Sequence, residues 1–321
     1  MSKKYNISNI SADTGKGNPV VLDKEEILSR RYFLKSKTIG VSISESDNLN
    51  ELGYGVAHLK DAMIEIARYI VAAGGKLAYG GDMRQGGFTE LIFDLLAYYK
   101  ADKELPPNER FYSYLAYPLS TTLSSEKEAE LRQNVSFKKI TPPADLQITN
   151  PKEFLKPDSA DNLYVWTRCL TKMREDMETD CDARIFIGGR TKGFKGKCPG
   201  ILEELLIAIE RKHPVYLIGA FGGITKDAID ALGGKQPGSF ADEYYFDNTD
   251  YQNLFTLFNE KHPNNTIDYK KYLTTLQAIG LKVIAEQNGL SEADNLRLTI
   301  TPHISEIVHL ILKGLTNHFT K

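Results

Sequence analysis

Apolar positions recur along this chain with two different periods, and the two take turns. Residues 37–44 (KTIGVSIS) and 76–79 read as short strands. Between them, residues 58–73 carry Leu59, Met63, Ile66, Ala67 and Ile70 at helical spacing, and Gly74-Gly75 ends the run. The same alternation predicts helices over 88–99, 162–179 and 201–211, and strands over 110–117, 183–187 and 214–219. In the last strand Val215, Tyr216, Leu217 and Ile218 follow one another without a polar interruption, as expected for a strand covered on both faces. Strands that alternate with helices predict an α/β fold: a doubly wound, mainly parallel, Rossmann-like sheet with helices on both faces. A ligand is then expected beyond the carboxyl ends of the strands.

Three stretches fall outside this rhythm. Residues 1–30 are polar and aperiodic and read as part of an arm over 1–36. Residues 118–160 hold a weak strand pattern only at 135–140 and read as a long excursion above the sheet rather than another repeat. The α/β unit is expected to end near 248, and 249–321 to form a helical C-terminal extension with helices over 250–261, 268–287 and 303–318. The last of these is expected either to cap the sheet or to carry a subunit interface.

Composition narrows the function classes. The chain has 321 residues, 41% hydrophobic and 26% charged, which is an ordinary globular balance. A net charge of -2 gives no overall attraction to nucleic acid or to an anionic membrane, so neither is expected as a partner. The longest apolar stretch, 304–315, is interrupted by Glu306, His309 and Lys313, and the N-terminus has no apolar leader segment. Cys169, Cys181 and Cys198 are an odd number with no CxxC pair, which fits a reducing, cytoplasmic compartment. The six histidines show no metal spacing, and no metal or cofactor is expected.

The chemistry concentrates where strands end in glycines. Residues 183–204 run from a strand through Gly188-Gly189 into a loop with Arg190, Lys192, Lys195 and Lys197, and then through Pro199-Gly200 into a helix that carries Glu203 and Glu204. Glycines permit close backbone approach, and a helix start offers free N–H groups and a positive dipole end, so an anion is the natural ligand. A surface loop with solvated lysines accounts for these residues about as well. Residues 191–198 do not match a phosphate-binding P-loop, because Thr191 stands where glycine is required and Cys198 where a magnesium-binding hydroxyl is. A companion turn, Gly80-Gly81 then Gly86-Gly87 before Thr89 and Glu90, follows the second strand, and Ser42 and Ser44 lie at the end of the first. Gly222 belongs to a further glycine turn after the strand at 214–219. Arg174, at the margin of an apolar helix face, either reaches this region or extends to solvent from a packed helix.

Across residues 37–235 this arrangement resembles the SLOG superfamily of Rossmann-like domains, which bind or cleave nucleotides and nucleotide-derived ligands. Gly188-Gly189 followed by Gly200-Ile-Leu-Glu203-Glu204 is similar to the Lonely Guy phosphoribohydrolase pattern Pro-Gly-Gly-x-Gly-Thr-x-x-Glu, opened by an insertion. Ile201 stands where that family has its threonine. Leu170–Arg174, Gly188–Arg190, Pro199–Glu204 and Gly219–Gly223 resemble most the divergent SLOG branches linked to bacterial conflict systems. The resemblance implies a pocket for a phosphorylated nucleoside, such as an NAD-derived or cyclic nucleotide signal. Ser42, Ser44, Gly80, Gly81, Gly86, Gly87, Arg174, Gly188, Gly189, Arg190, Lys197, Pro199, Gly200, Glu203, Glu204 and Gly222 are its candidate residues. Two alternatives stand beside sensing: N-glycosidic hydrolysis, with Glu204 and Arg174 as the catalytic pair, and an assembly subunit that recruits an effector through its tail. Relatives of this kind are also expected to be homo-oligomers, dimers or higher.

Overall fold

The computed structural model describes residues 24–81, 86–98 and 109–320. Residues 1–23 of the expected arm and 82–85 of the companion glycine turn lie outside this description. The chain opens with α1 (Lys24–Arg31), β1 (Thr38–Ser44), α2 (Val56–Ala72), β2 (Lys76–Gly80), α3 (Phe88–Tyr98) and β3 (Phe111–Ala116). It continues through α4 (Ser125–Leu131), β4 (Ser136–Ile140), α5 (Ala160–Asp180), β5 (Ala183–Gly188), α6 (Gly200–Glu210), β6 (Val215–Ile218) and α7 (Gly223–Leu232). Four helices follow: α8 (Thr249–Lys261), α9 (Tyr269–Asn288), α10 (Glu292–Ile300) and α11 (Ile304–Phe319).

The strands form one six-stranded sheet in the order β4-β3-β2-β1-β5-β6, with every neighbouring pair parallel. The chain therefore builds outward from β1 to β4. The 21-residue helix α5 then carries it back across one face, and β5 is laid on the other side of β1. The reversal of winding leaves a crevice at the carboxyl ends of β1 and β5, where ligands of doubly wound sheets bind.

The segment 118–160 departs from expectation. It contains α4 and an edge strand, β4, so the repeat continues one step further before the excursion begins. Ser136-Phe-Lys-Lys-Ile140 was hard to recognise because an edge strand is half-solvated and Lys138 and Lys139 are exposed, a common protection of a sheet edge. The remainder wraps the outside of α5, where the Trp166 indole N–H donates to the Leu155 carbonyl at 2.9 Å.

One face of the sheet is covered by α2, α3 and α11, and the other by α5, α6 and α7 with α8 and α9 beyond them. The helices after residue 248 share these cores. Ile307, Ile311 and Leu315 of α11 are buried with Ile66 and Ile70 of α2, and Tyr269 and Leu276 of α9 are buried with Leu202 and Ile224. Asn288 fastens the tail to β6: its side-chain N–H donates to the Val215 carbonyl and its own carbonyl accepts from the Tyr216 hydroxyl, both at 2.8 Å. Among the described residues no helix is long and apolar enough to cross a membrane.

Candidate functional site

A cleft of about 230 Å³ opens at the carboxyl ends of the central strands. Ser42 and Ser44 of β1, Gly80 and Gly81 at the end of β2, Arg174 of α5, Arg190 after β5, and Gly200 and Glu204 of α6 all line it. Eight of the sixteen candidate residues thus meet in one place, drawn from four regions of the sequence.

The start of α6 faces this cleft without a side-chain cap. Pro199 occupies the N-cap position and has no side-chain oxygen to offer the first N–H groups, whereas Ser159, Asn248, Asp268 and Ser291 each cap their own helices. Arg174 lies beside it, so close to Gly200 that a Cβ there would stand 2.6 Å from a guanidinium nitrogen. Glycine at 200 lets the guanidinium reach the helix start.

Arg174 is 7% exposed, so it is a buried charge and not one extended to solvent. Its Nη1 donates to Glu203, and its Nε stands 3.6 Å from a Glu204 oxygen with no hydrogen-bond partner. Burial works against this charge, but Glu203 and Glu204 outweigh it and raise the guanidinium pKa. Burial likewise works against the Glu203 carboxylate, yet Arg174, Lys197 and the Thr171 hydroxyl hold its pKa below the usual glutamate value. A buried donor without a hydrogen bond thus stands beside an uncapped helix start.

Beneath the cleft lies a residue that the sequence reading passed over. Arg184, the second residue of β5, is wholly buried. Its Nη1 donates to Glu178 at 2.7 Å, and its Nη2 donates to Glu204 and, at 2.5 Å, to the Ser42 hydroxyl. The Ser42 hydroxyl in turn donates to Glu204 at 2.5 Å. Room for the arginine comes from its register partner Gly40, where a Cβ would stand 2.4 Å from the Arg184 Cδ. The signal was present in the sequence as a charged residue inside an otherwise apolar strand, which must be paired when the sheet is covered on both faces.

The remaining candidates do not line the cleft. Gly188 and Gly189, at φ of 65° and 97°, pack the β5 turn against Ser44, Ser46, Ile201 and Ile224. The Gly189 peptide is spent on the Ser44 carbonyl and the Ile224 N–H. Gly222 lies against Asn48, and the Gly86 N–H donates to Glu90 at the start of α3, next to Gly87. Pro199 is buried, Glu203 sits behind Arg174, and Lys197, 3.4 Å from Glu203, lines a separate cleft with Arg168 and His262. The insertion between Gly189 and Gly200 is held at its start, where the Thr191 N–H and hydroxyl both donate to Asp47 at 2.7 Å. The three cysteines are buried, and burial pushes the thiols of Cys169 and Cys181 up to about 12. They are therefore poor nucleophiles at neutral pH.

The family model described as SLOG cluster2 matches residues 33–298, which span the whole sheet, the cleft and most of the tail. The chain belongs to the SLOG superfamily. No curated protein matches it. Membership ties a SLOG protein to binding or processing of nucleotide-related ligands. The family match includes α8, α9 and most of α10, consistent with their packing into the sheet's own core.

Proposed function

We propose that this SLOG protein binds a phosphorylated nucleoside in the β1–β5 crevice, with the phosphate at the start of α6 and the ribose beside Glu204. The observation that carries the reading is the buried Arg174, whose Nε makes no hydrogen bond, beside the uncapped α6 N-terminus in one cleft. Helix N–H groups and a guanidinium together form the donor set that phosphate prefers. Arg190, about half exposed and 3.7 Å from Glu45, adds a positive charge at the rim that is free to reorient.

Binding is favoured over turnover by the state of Glu204. One carboxylate oxygen already accepts from Ser42 and Arg184, and the other faces Arg174. A carboxylate shared between two guanidiniums suits a hydroxyl acceptor better than a stabiliser of developing ribosyl cation. Ile201 also supplies no hydroxyl to the phosphate. The resemblance to conflict-linked SLOG branches favours an NAD-derived or cyclic nucleotide signal as the ligand, in a bacterial defence setting and in a homo-oligomeric protein.

Thermal-shift titration with 5′-AMP, ADP-ribose, NAD and a cyclic dinucleotide tests the reading. A ligand present at 100 times its Kd adds about 2.7 kcal/mol to stability and raises Tm by several degrees. No response to any of the four overturns it. Release of free base on chromatography, abolished in Glu204→Gln, would instead establish the hydrolase.

A further inference from the structure

The crevice is small for the ligand assigned to it. At about 230 Å³ it falls below the roughly 300–1,000 Å³ of small-molecule sites, so it has space for a phosphate and a sugar but not for a base as well. One of its walls is Phe194, from the insertion that separates this chain from the hydrolase pattern. Phe194 also lines a second cleft of about 530 Å³, together with Lys192, Tyr245, Asp247, Asp250 and Tyr251.

We propose that this second cleft seats the base of the nucleotide whose phosphate lies in the first, with Phe194 as the stacking surface between them. The inference rests on the phosphate reading above. Phe194 is half-buried and held by T-shaped contacts to Tyr245 and Tyr251, with centroids 5.5 and 5.1 Å away. Among the described residues no ring lies parallel to it, so a base need not displace one to stack. The insertion is anchored three residues before Phe194 by the Asp47 bonds to Thr191.

Charge orients the ligand. The first cleft is lined by Arg174, Arg190 and Glu204 and gains the positive end of α6, so it takes the anion. In the second, Lys192 is paired with Asp247, which leaves Asp250 in excess. That lining repels phosphate and accepts N–H groups, which bases present at their edges. The phosphate and base of one nucleotide are thereby assigned to different clefts.

The test is calorimetric titration of the full chain with ribose 5-phosphate and with 5′-AMP, 5′-GMP, 5′-CMP and 5′-UMP, in wild type, Phe194→Ala and Phe194→Leu. Stacking on an aromatic ring predicts that the best nucleotide binds at least about tenfold tighter than ribose 5-phosphate. Both variants should lose that advantage, so that the ratio of nucleotide affinity to ribose 5-phosphate affinity, measured within each variant, falls to about one. Nucleotides that bind no better than ribose 5-phosphate, or an advantage that survives both substitutions, would overturn the base seat and leave the phosphate site standing. If neither ribose 5-phosphate nor any nucleotide binds, both readings fall.

Discussion

Replacing Arg184 by methionine keeps most of the side chain's bulk and removes its charge from the centre of the sheet. In the native protein the guanidinium neutralises two carboxylates, Glu178 and Glu204, whose side chains are 0% and 9% exposed. Without it, among the described residues, Glu178 keeps His213, at 2.7 Å, and Glu204 keeps Ser42 and the more distant Arg174 Nε at 3.6 Å. Breaking a buried pair by removing one partner costs about 3–5 kcal/mol, because the partner's charge stays behind in a dry interior. For a chain of 321 residues the unfolding entropy is about 0.7 kcal/mol/K at roughly 2.1 cal/mol/K per residue, so the penalty lowers Tm by about 4–7 °C. Differential scanning calorimetry measures it. Adding Glu178→Gln and Glu204→Gln to the methionine variant should recover about half of the loss, since no carboxylate then remains uncompensated. A drop below 2 °C, or a triple variant worse than the single one, would refute the view that the crevice floor is a buried charge cluster held together by Arg184.

Three further outcomes follow from the same geometry. Gly40→Ala places a Cβ 2.4 Å from the Arg184 Cδ and 2.9 Å from the Cys181 Sγ, and should cost about 1–3 kcal/mol in urea denaturation by overpacking; a wild-type midpoint would contradict it. Because the folded pKa of Glu203 is depressed, its contribution is complete above the ordinary glutamate value of 4.5 and is lost as pH falls through the lower folded value. The stability gap between wild type and Glu203→Gln should therefore narrow below about pH 4.5, and a constant gap from pH 7 to 3 would argue against the depression. Deleting residues 304–321 removes the buried side chains of Ile307, Val308, Leu310, Ile311 and Leu315. At about 1.5–3 kcal/mol each this rivals the whole 5–15 kcal/mol of a typical domain, so circular dichroism should show no cooperative melt. A sharp transition would mean that α11 is an appendage.

The fold was legible because its signals are local. Apolar spacing in α2 and α5, and the unbroken run Val215–Ile218, each specify one element whatever surrounds it. Elements that take their stability from neighbours were less legible: α7 opens on Gly223 rather than a capping side chain, and β4, which gave only a weak strand pattern at 135–140, carries two exposed lysines. The same division applies to the site. Arg174, Gly200 and Glu204 were found through glycine turns and the resemblance to SLOG domains. Arg184 and Phe194 were not, because their significance depends on what faces them. Arg184 matters through Glu178, Glu204 and the space left by Gly40, and Phe194 through two clefts that share it. Gly188 and Gly189 show the opposite case, since their positive φ serves the packing of one turn against another and their side of the turn does not line the cleft.

The central claim is that a nucleotide phosphate sits between the start of α6 and Arg174. A crystal structure of the protein with the tightest-binding nucleoside 5′-monophosphate tests it most directly. Phosphate oxygens within about 2.7–3.2 Å of the Gly200 N–H and the Arg174 Nε, with Arg190 closing over the rim, are the predicted result. A phosphate held instead by Lys197, Arg168 and His262 in the neighbouring cleft, with the α6 N-terminus unengaged, would contradict it.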